Sequence, residues 1–518
     1  MAPRVSVARI VSGLPVDGPG QDLKGSRVEV KEQPHLKKDA ISFTDGLVIA
    51  LASTAPAYSL AAVIGSVVVL VGLQAPASLI VSFVPMFFIA SAFYYMNKAD
   101  QDCGTSFAWV TRSIGPQTGW MTGWAICVTG ILVVGSLADV AAYSFFDLIG
   151  AEGLAGSTAW VTGFAVVLML VMTAVCVWGT EISANLQKVL MALQIGPLLL
   201  LVGVGLYKVF FTSDAPAGSI DPALSWFNPL DIASGGALTG ALLLGVFIYW
   251  GWESAVNLNE ETDGDATKPG LAGVISTAIL LITYLGVATV LVAWGGVEGA
   301  TAFDDDAAIL STYADQILGS TLGPLVLLAI VVSALASTQT TILPASRTSL
   351  SMARAEAVPS AFGEISNRFF TPVVSTVTIG ILAIVWYLPS KLISEDFLFD
   401  SLSALSLMIA FYYALTGLAC AFYYRHELLS STRNLLFVGV APVIGALMLG
   451  YLFVKSMIEW SDPANSYSGQ SWLGWAPPAV IGIGFLVLGF ILLLAWRKHQ
   501  REPFFKRRRE TADPALLD

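Results

Sequence analysis

Twelve apolar stretches, each long enough to cross a bilayer, follow one another through this chain with short gaps between them. They run approximately over 44–68, 75–97, 118–148, 157–179, 184–211, 234–259, 269–295, 321–353, 371–390, 398–424, 432–457 and 474–497. A helix needs about 20 mostly apolar residues to span the hydrocarbon layer. Inside that layer every backbone N–H and C=O must find a partner within the protein, so only helices and closed barrels cross it. Stretches of this length predict helices. With 55% hydrophobic and only 12% charged residues, the chain reads as an all-α integral membrane protein rather than a soluble one. We expect a tail over 1–42, one transmembrane domain over 43–497 and a second tail over 498–518. Residues 1–42 are polar and lack the short apolar core of a cleavable signal.

An even number of crossings puts both tails on one side, and basic residues decide which. Arg4, Arg9, Lys24, Arg27, Lys31, Lys37 and Lys38 lie before the first stretch; Arg497, Lys498, Arg501 and Lys506 to Arg509 end the chain. With twelve crossings and both termini cytoplasmic, only Lys208, Lys391 and Lys455 of the 26 basic residues fall on the outer side. The outer loops are acidic instead (Asp214, Asp221, Asp231, Glu298 and Asp304 to Asp306), as a solvated surface would be. The basic run at 506–509 adjoins a membrane span and reads as an anchor near anionic lipid, not as a nucleic-acid site. The four cysteines are scattered without metal-binding spacing and read as small buried hydrophobes. His35, His426 and His499 all fall outside the apolar stretches, so no histidine relay runs through the membrane.

Two spans are interrupted at matching positions. The first carries Pro56 inside the polar patch "STAPAYS" (53–59), and the sixth carries Gly251 inside "YWGWES" (249–254). Proline removes an N–H and disturbs the preceding turn; Ser53, Thr54 and Ser59 are placed to bond the freed groups. The first and sixth spans correspond if five helices are repeated with inverted topology, and paired interruptions then mark a substrate site between the repeats. The alternative is two ordinary kinks. Next to Gly251 stands Glu253. An unpaired charge at the bilayer centre costs about 2.5–3.5 kcal/mol on insertion scales, so this carboxylate should face a break or cavity and not lipid.

These residues resemble the amino acid–polyamine–organocation (APC) superfamily. The resemblance rests on Trp250, Gly251, Glu253 and Ser254 followed by Glu260 and Glu261; on "PASRTSLSMARAEAVPSAFGEISNRFFTPVVST" (344–376), through Arg347, Met352, Arg354, Pro359, Phe362, Thr371 and Pro372; and on "FAWVTRSIGPQTGWMTGW" (107–124). It implies a LeuT-type fold, with helices 1–5 and 6–10 as inverted repeats and two extra C-terminal helices. It implies secondary active transport of an amino acid or related small amine by alternating access, without a cofactor, driven by a proton or sodium gradient or by exchange. Two departures stand out. The family's first break is usually glycine-rich, and its amides hold a substrate carboxylate; here Pro56 removes one of them. Many proton-coupled members carry a lysine midway along helix 5, where this chain has Gln194.

The candidate site comprises backbone groups of Thr54, Ala55, Ala57 and Tyr58, with Tyr249, Trp250, Gly251, Trp252, Glu253 and Tyr412, and Thr129 as a further lining residue. Glu253 either titrates and pairs with a substrate amine, or is a structural acid bonded to the opposed break. Of Tyr249, Trp250 and Trp252 one is expected to face lipid, and of Phe411, Tyr412 and Tyr413 at least two are expected merely to pack. Asp139 is a second intramembrane acid, for vestibule lining or proton transfer. Ser337 and Thr338, in the polar patch "STQTT", are the candidates for sodium, against plain helix–helix hydrogen bonding. The loop 259–270 reads as a solvated inner turn in which Glu260 could pair with Arg347 or Arg354.

We therefore expect a multi-pass plasma-membrane permease, monomeric or homodimeric, with a small-molecule substrate and the lipid bilayer as its partners. A polyamine transporter or exchanger is the alternative; a long polycation would want more acids along the path than Glu253 and Asp139, whereas an exchanger reads the same at this level. A membrane enzyme would need a His, Asp or Cys cluster that the sequence lacks. A transporter-like nutrient sensor keeps the same fold and is separated only by a flux measurement.

Overall fold

The computed structural model describes residues 35–510 apart from 213, 217, 301–305, 394, 467, 501–503 and 508. Most of the N-terminal basic tail, Asp304 and Asp305, and Arg501 and Arg508 lie outside the described residues. Among those described there is no strand, only isolated bridges such as Ile41 with Thr262. Eleven helical stretches are long and apolar enough to cross a membrane. The sequence reading counts twelve; the first two of these form one stretch, Phe43–Ala99, of 57 residues. At about 1.5 Å per residue, such a stretch would be far longer than a bilayer if it were straight. It is interrupted at Thr54–Ala55 and again at Gly72, where φ is +59°.

We label the main helices α1 (Phe43–Ser53), α2 (Pro56–Val71), α3 (Ala75–Ala99), α4 (Ser106–Ser113), α5 (Pro116–Leu148), α6 (Thr158–Trp178), α7 (Thr180–Phe211), α8 (Gly235–Ile248), α9 (Thr267–Ala300), α10 (Asp306–Leu318), α11 (Pro324–Arg354), α12 (Val373–Ile393), α13 (Glu395–Tyr423), α14 (Ala441–Glu459) and α15 (Pro477–Gln500). Helix α10 was not foreseen. It is short and amphipathic, burying Ile309, Leu310, Tyr313 and Ile317 against the body of the protein.

Two helix pairs dominate the packing, α5 with α11 and α3 with α9. Without a hydrophobic drive between helices in lipid, close approach rests on small residues. Gly130 of α5 sits where an added Cβ would lie 3.0 Å from Ala345 of α11, and Gly270 of α9 where one would lie 2.7 Å from the Tyr94 backbone of α3. Beyond α15, residues 504–510 return to the body: Phe504 is buried against Phe107 of α4, and the Glu510 amide donates to Arg112 O.

Both interruptions have local causes. Helix α1 ends at Thr54, Ala55 adopts left-handed backbone (φ +48°), and α2 restarts with Pro56 in its first turn, where a missing N–H costs nothing. The Thr54 hydroxyl donates to Leu51 O and the Ser59 hydroxyl to Thr54 O, both at 2.7 Å. These are two of the three side chains expected to do so; Ser53 instead meets Ser254, 2.7 Å between hydroxyls. Helix α8 ends before Tyr249, Gly251 takes φ +118°, and a 3-10 turn runs over Trp252–Leu258. A Cβ on Gly251 would lie 2.7 Å from Ser53 O, so the two breaks touch through glycine. Gly251→Ala therefore strains the backbone by about 1–3 kcal/mol and also collides with α1. Its apparent Tm in detergent should fall well below that of Gly484→Ala, whose Cβ meets nothing within 4 Å; equal melting would refute the glycine's role.

Candidate functional site

Glu253 opens the 3-10 turn after the second break and is 5% exposed. Its carboxylate accepts three hydrogen bonds from neutral donors: Tyr412 OH to Oε1 and Tyr413 OH to Oε2, both at 2.5 Å, and the Gly251 amide to Oε2 at 3.2 Å. Trp250 Nε1 in turn donates to the Tyr412 hydroxyl at 2.5 Å. Among the described residues no ion pair includes Glu253. Tyr412 and Tyr413 are neighbours on α13, and a 4.7 Å centroid separation lets both hydroxyls converge on one carboxylate. The expectation that at least two of Phe411, Tyr412 and Tyr413 merely pack is corrected, since both tyrosines bond the acid.

None of the three aromatic residues before Glu253 faces lipid; Tyr249, Trp250 and Trp252 are all buried. Trp252 packs edge-on to Phe93 at 5.0 Å and lies 5.6 Å from the Tyr413 ring. Tyr249 turns the other way, onto Phe83 and Tyr284. Hydrophobic surroundings offered the sequence no sign of this, because core and lipid are equally apolar.

At the first break, the α2 N-terminus would normally present free amides. Pro56 has none, the Tyr58 amide donates to Ser333 Oγ of α11 at 3.3 Å, and the Ser59 amide bonds Ala55 O. Ser333 is fully buried and was not singled out from the sequence. The Ser337 hydroxyl donates to Ser53 O at 2.8 Å, and the Thr338 hydroxyl donates back to Ala334 O in its own helix. Thr129 is buried, with its hydroxyl returned to Ala125 O, so no polar contact ties it to Glu253.

Below the breaks, the 3-10 turn is tied down by a polar network. Glu261 and Arg347 form a fully buried pair: Arg347 Nε and Nη2 donate to Glu261 Oε1 at 3.1 and 3.0 Å, and Arg347 Nη2 also reaches Thr180. The Thr180 hydroxyl bonds the other oxygen of Glu261. Glu260 is held by Arg354 Nη1, 2.8 Å from both carboxylate oxygens, as one of the two expected pairings. Burial pushes the Glu260 carboxyl up, but the Arg354 charge and hydrogen bonds outweigh it and leave the group below its usual range. Asn257 donates to Cys103 O and Thr105, and Asn259 to Asn97 and Asp102 O. The reading of 259–270 as a solvated turn thus fails for Asn259 and Glu261, both buried.

Asp102, Cys103 and Glu260 bring their ligand atoms within 4.8 Å of one another. A metal does not suit them: Arg354 occupies Glu260, and burial, with Glu260 and Asp102 nearby, pushes the Cys103 thiol well up. On the far side of the breaks Asp139 is buried and charge-paired. It accepts from Tyr387 OH at 2.5 Å and from Lys391 Nζ at 3.1 Å. Lys391, expected on the outer side of the membrane, is itself buried.

Comparison with known proteins completes the picture. The sequence is 23% identical over 309 residues to "Cationic amino acid transporter 3, mitochondrial" of Arabidopsis thaliana, covering 57% of this chain and 48% of that one. It thus spans about half the length of the plant transporters it matches. It is 22% identical over 435 residues to the "Low-affinity putrescine importer PlaP" of Escherichia coli (strain K12), covering 83% and 87% of the two chains. It is 23% identical over 397 residues to the "Branched-chain amino acid permease BcaP" of Lactococcus lactis subsp. cremoris (strain MG1363), covering 74% and 81%. The sequence profile described as "Amino acid permease" matches residues 48–496, nearly the whole helical body, and the chain belongs to that family.

Proposed function

We propose that this protein is a secondary active permease for a small amino acid or organic amine, with the substrate bound between the two breaks. The observation that carries the reading is Glu253, a buried carboxylate at the meeting point of both interruptions, held by neutral donors. Such an acid suits a substrate ammonium, which would replace the tyrosine hydroxyls. The Trp250 and Tyr412 rings add a surface for cation–π contact. The names of the relatives, which include cationic amino acid transporters and a putrescine importer, agree with a cationic group on the substrate.

In this reading the 57-residue first stretch crosses the membrane twice, giving twelve crossings arranged as a 5+5 inverted repeat plus two helices. Both termini are cytoplasmic and the plasma membrane is the site of action. The Glu261–Arg347 and Glu260–Arg354 pairs close the cytoplasmic side and separate when the site opens inward. The driving force is a proton or sodium gradient, or exchange.

Two measurements test this. In proteoliposomes, Glu253→Gln should keep the fold, since the amide oxygen still accepts from one tyrosine, yet lower substrate affinity at least tenfold. Uptake and pH dependence like the wild type would discard the assignment. Removing one partner of a buried pair costs about 3–5 kcal/mol, so Arg347→Gln should melt earlier than the wild type. The double variant Arg347→Gln/Glu261→Gln should recover much of that loss and still transport more slowly from the inward-closed state. Equal melting of single and double variants would show that the pair does not stabilise this conformation. Substrate-dependent flux in the same liposomes separates a carrier from a sensor.

A further inference from the structure

The two breaks offer a substrate unequal chemistry, and the inequality narrows the substrate class. A helix N-terminus attracts an anion through the partial positive charge on its unsatisfied first-turn amides. Holding a carboxylate away from water takes two or three such donors, or a cation. The α2 N-terminus, which starts three residues after the Ser53 that touches Gly251 of the second break, is depleted of them. Pro56 brings no N–H. The Tyr58 amide is taken by Ser333 Oγ, a side chain of α11 that is itself fully buried. The Ser59 amide closes the first turn on Ala55 O. Among the described residues this leaves the Ala57 amide as the one first-turn donor with no acceptor named.

Basic side chains do not make up the deficit. Among the described residues the two buried cations are Arg347 and Lys391. Arg347 is committed to Glu261 and Thr180, and Lys391 to Asp139. The opposite need is well met. Glu253 accepts from three neutral donors and no cation, and Trp250 and Tyr412 stand beside it. The meeting point of the breaks can neutralise an ammonium, whereas the α2 N-terminus keeps a single first-turn amide for a carboxylate.

We propose that the substrate is an organic amine without an α-carboxylate, and that Ser333, together with Pro56, sets this choice by removing the amides a carboxylate would need. Ser333 acts as a specificity-determining residue from α11, through the Tyr58 backbone. This rests on the reading of the breaks as the substrate site and goes beyond it, since a family of amino acid permeases would otherwise lead one to expect a carboxylate contact.

The test is thermal stabilisation of purified protein by matched pairs: lysine against cadaverine, ornithine against putrescine, and leucine against 3-methylbutylamine. A ligand that binds the folded state raises apparent stability by mass action. The wild type should respond to one or more of the amines at concentrations at least tenfold below those needed for the parent amino acid. Ser333→Ala frees the Tyr58 amide, and Pro56→Ala restores a missing one. Each should gain at least tenfold in affinity for the amino acid while amine affinity stays within threefold. The two variants alter different residues, so poor folding of one leaves the other to decide. A wild type that responds as well to the amino acid as to its amine overturns this inference alone. A wild type that responds to neither class, with flux also absent, overturns the permease reading and this inference with it.

Discussion

In hydrocarbon, a broken helix is tolerable only if another part of the protein satisfies the groups the break releases, and here α11 serves the first break while the second is served by its own Glu253. Ser53 O, released at the end of α1, accepts from Ser337, and the Ser53 hydroxyl meets Ser254 of the opposed turn. Gly251 permits the contact, because any Cβ would strike that same carbonyl. The Gly251 amide bonds Glu253. A glycine, two serines and a glutamate thus form one hydrogen-bonded unit, and the surrounding helices are positioned by it. The same unit, which the proposed function makes the substrate site, joins α1 to the turn that follows α8.

The network near Arg347 answers a different requirement. A fully buried ion pair contributes little net stability, because desolvation offsets most of the Coulomb attraction, whereas separating its partners is costly. That makes Glu261–Arg347 better suited to defining a state than to strengthening the fold. The pair links the segment just after the 3-10 turn to α11, and Glu260–Arg354 repeats the link about two turns further along α11 with more solvent access. Breaking them together requires water to enter, so the closed and open arrangements of the proposed gate would be discrete and not a continuum. Asp139–Lys391 differs in place: it joins α5 to α12, with Tyr387 of α12 as a second donor to the acid.

Much of the fold was legible because the bilayer enforces simple rules. Helix lengths follow from apolar run lengths, and Pro56 and Gly251 mark the interruptions because each changes what the backbone can do. Glu253 was legible as a charge in the wrong solvent. What escaped was whatever depends on direction around a helix axis or on contacts distant in sequence. Tyr412 and Tyr413 differ by one position, so they point roughly 100° apart, and nothing local says that a carboxylate lies between them. Lys391 falls on the outer side by the count of crossings, which says nothing of its burial, and only α5 supplies the Asp139 that pairs with it. Ser333 is one more serine among several in an apolar helix; its meaning comes from the Tyr58 amide, 275 residues earlier. The amphipathic α10 was hidden because its apolar face is too short to stand out beside membrane spans.

These distant contacts bear on how a cation could be released once bound. Glu253 with an ammonium would lose its tyrosine donors, and the hydroxyls of Tyr412 and Tyr413, buried with their rings, would then seek other partners. Tyr412 already accepts from Trp250 Nε1, so Trp250, Tyr412 and Glu253 form a short chain in which a change at one end is felt at the other. In the proposed reading, a substrate ammonium that takes the place of the tyrosine donors at Glu253 leaves the Tyr412 hydroxyl still accepting from Trp250. Departure of such a substrate restores the tyrosine bonds, which offsets part of the cost of uncovering a buried carboxylate. In the proposed reading the neutral donors around Glu253 thus do two things: they keep the empty site from needing a permanent cation, and they keep the loaded site from holding its ligand too tightly to let it go.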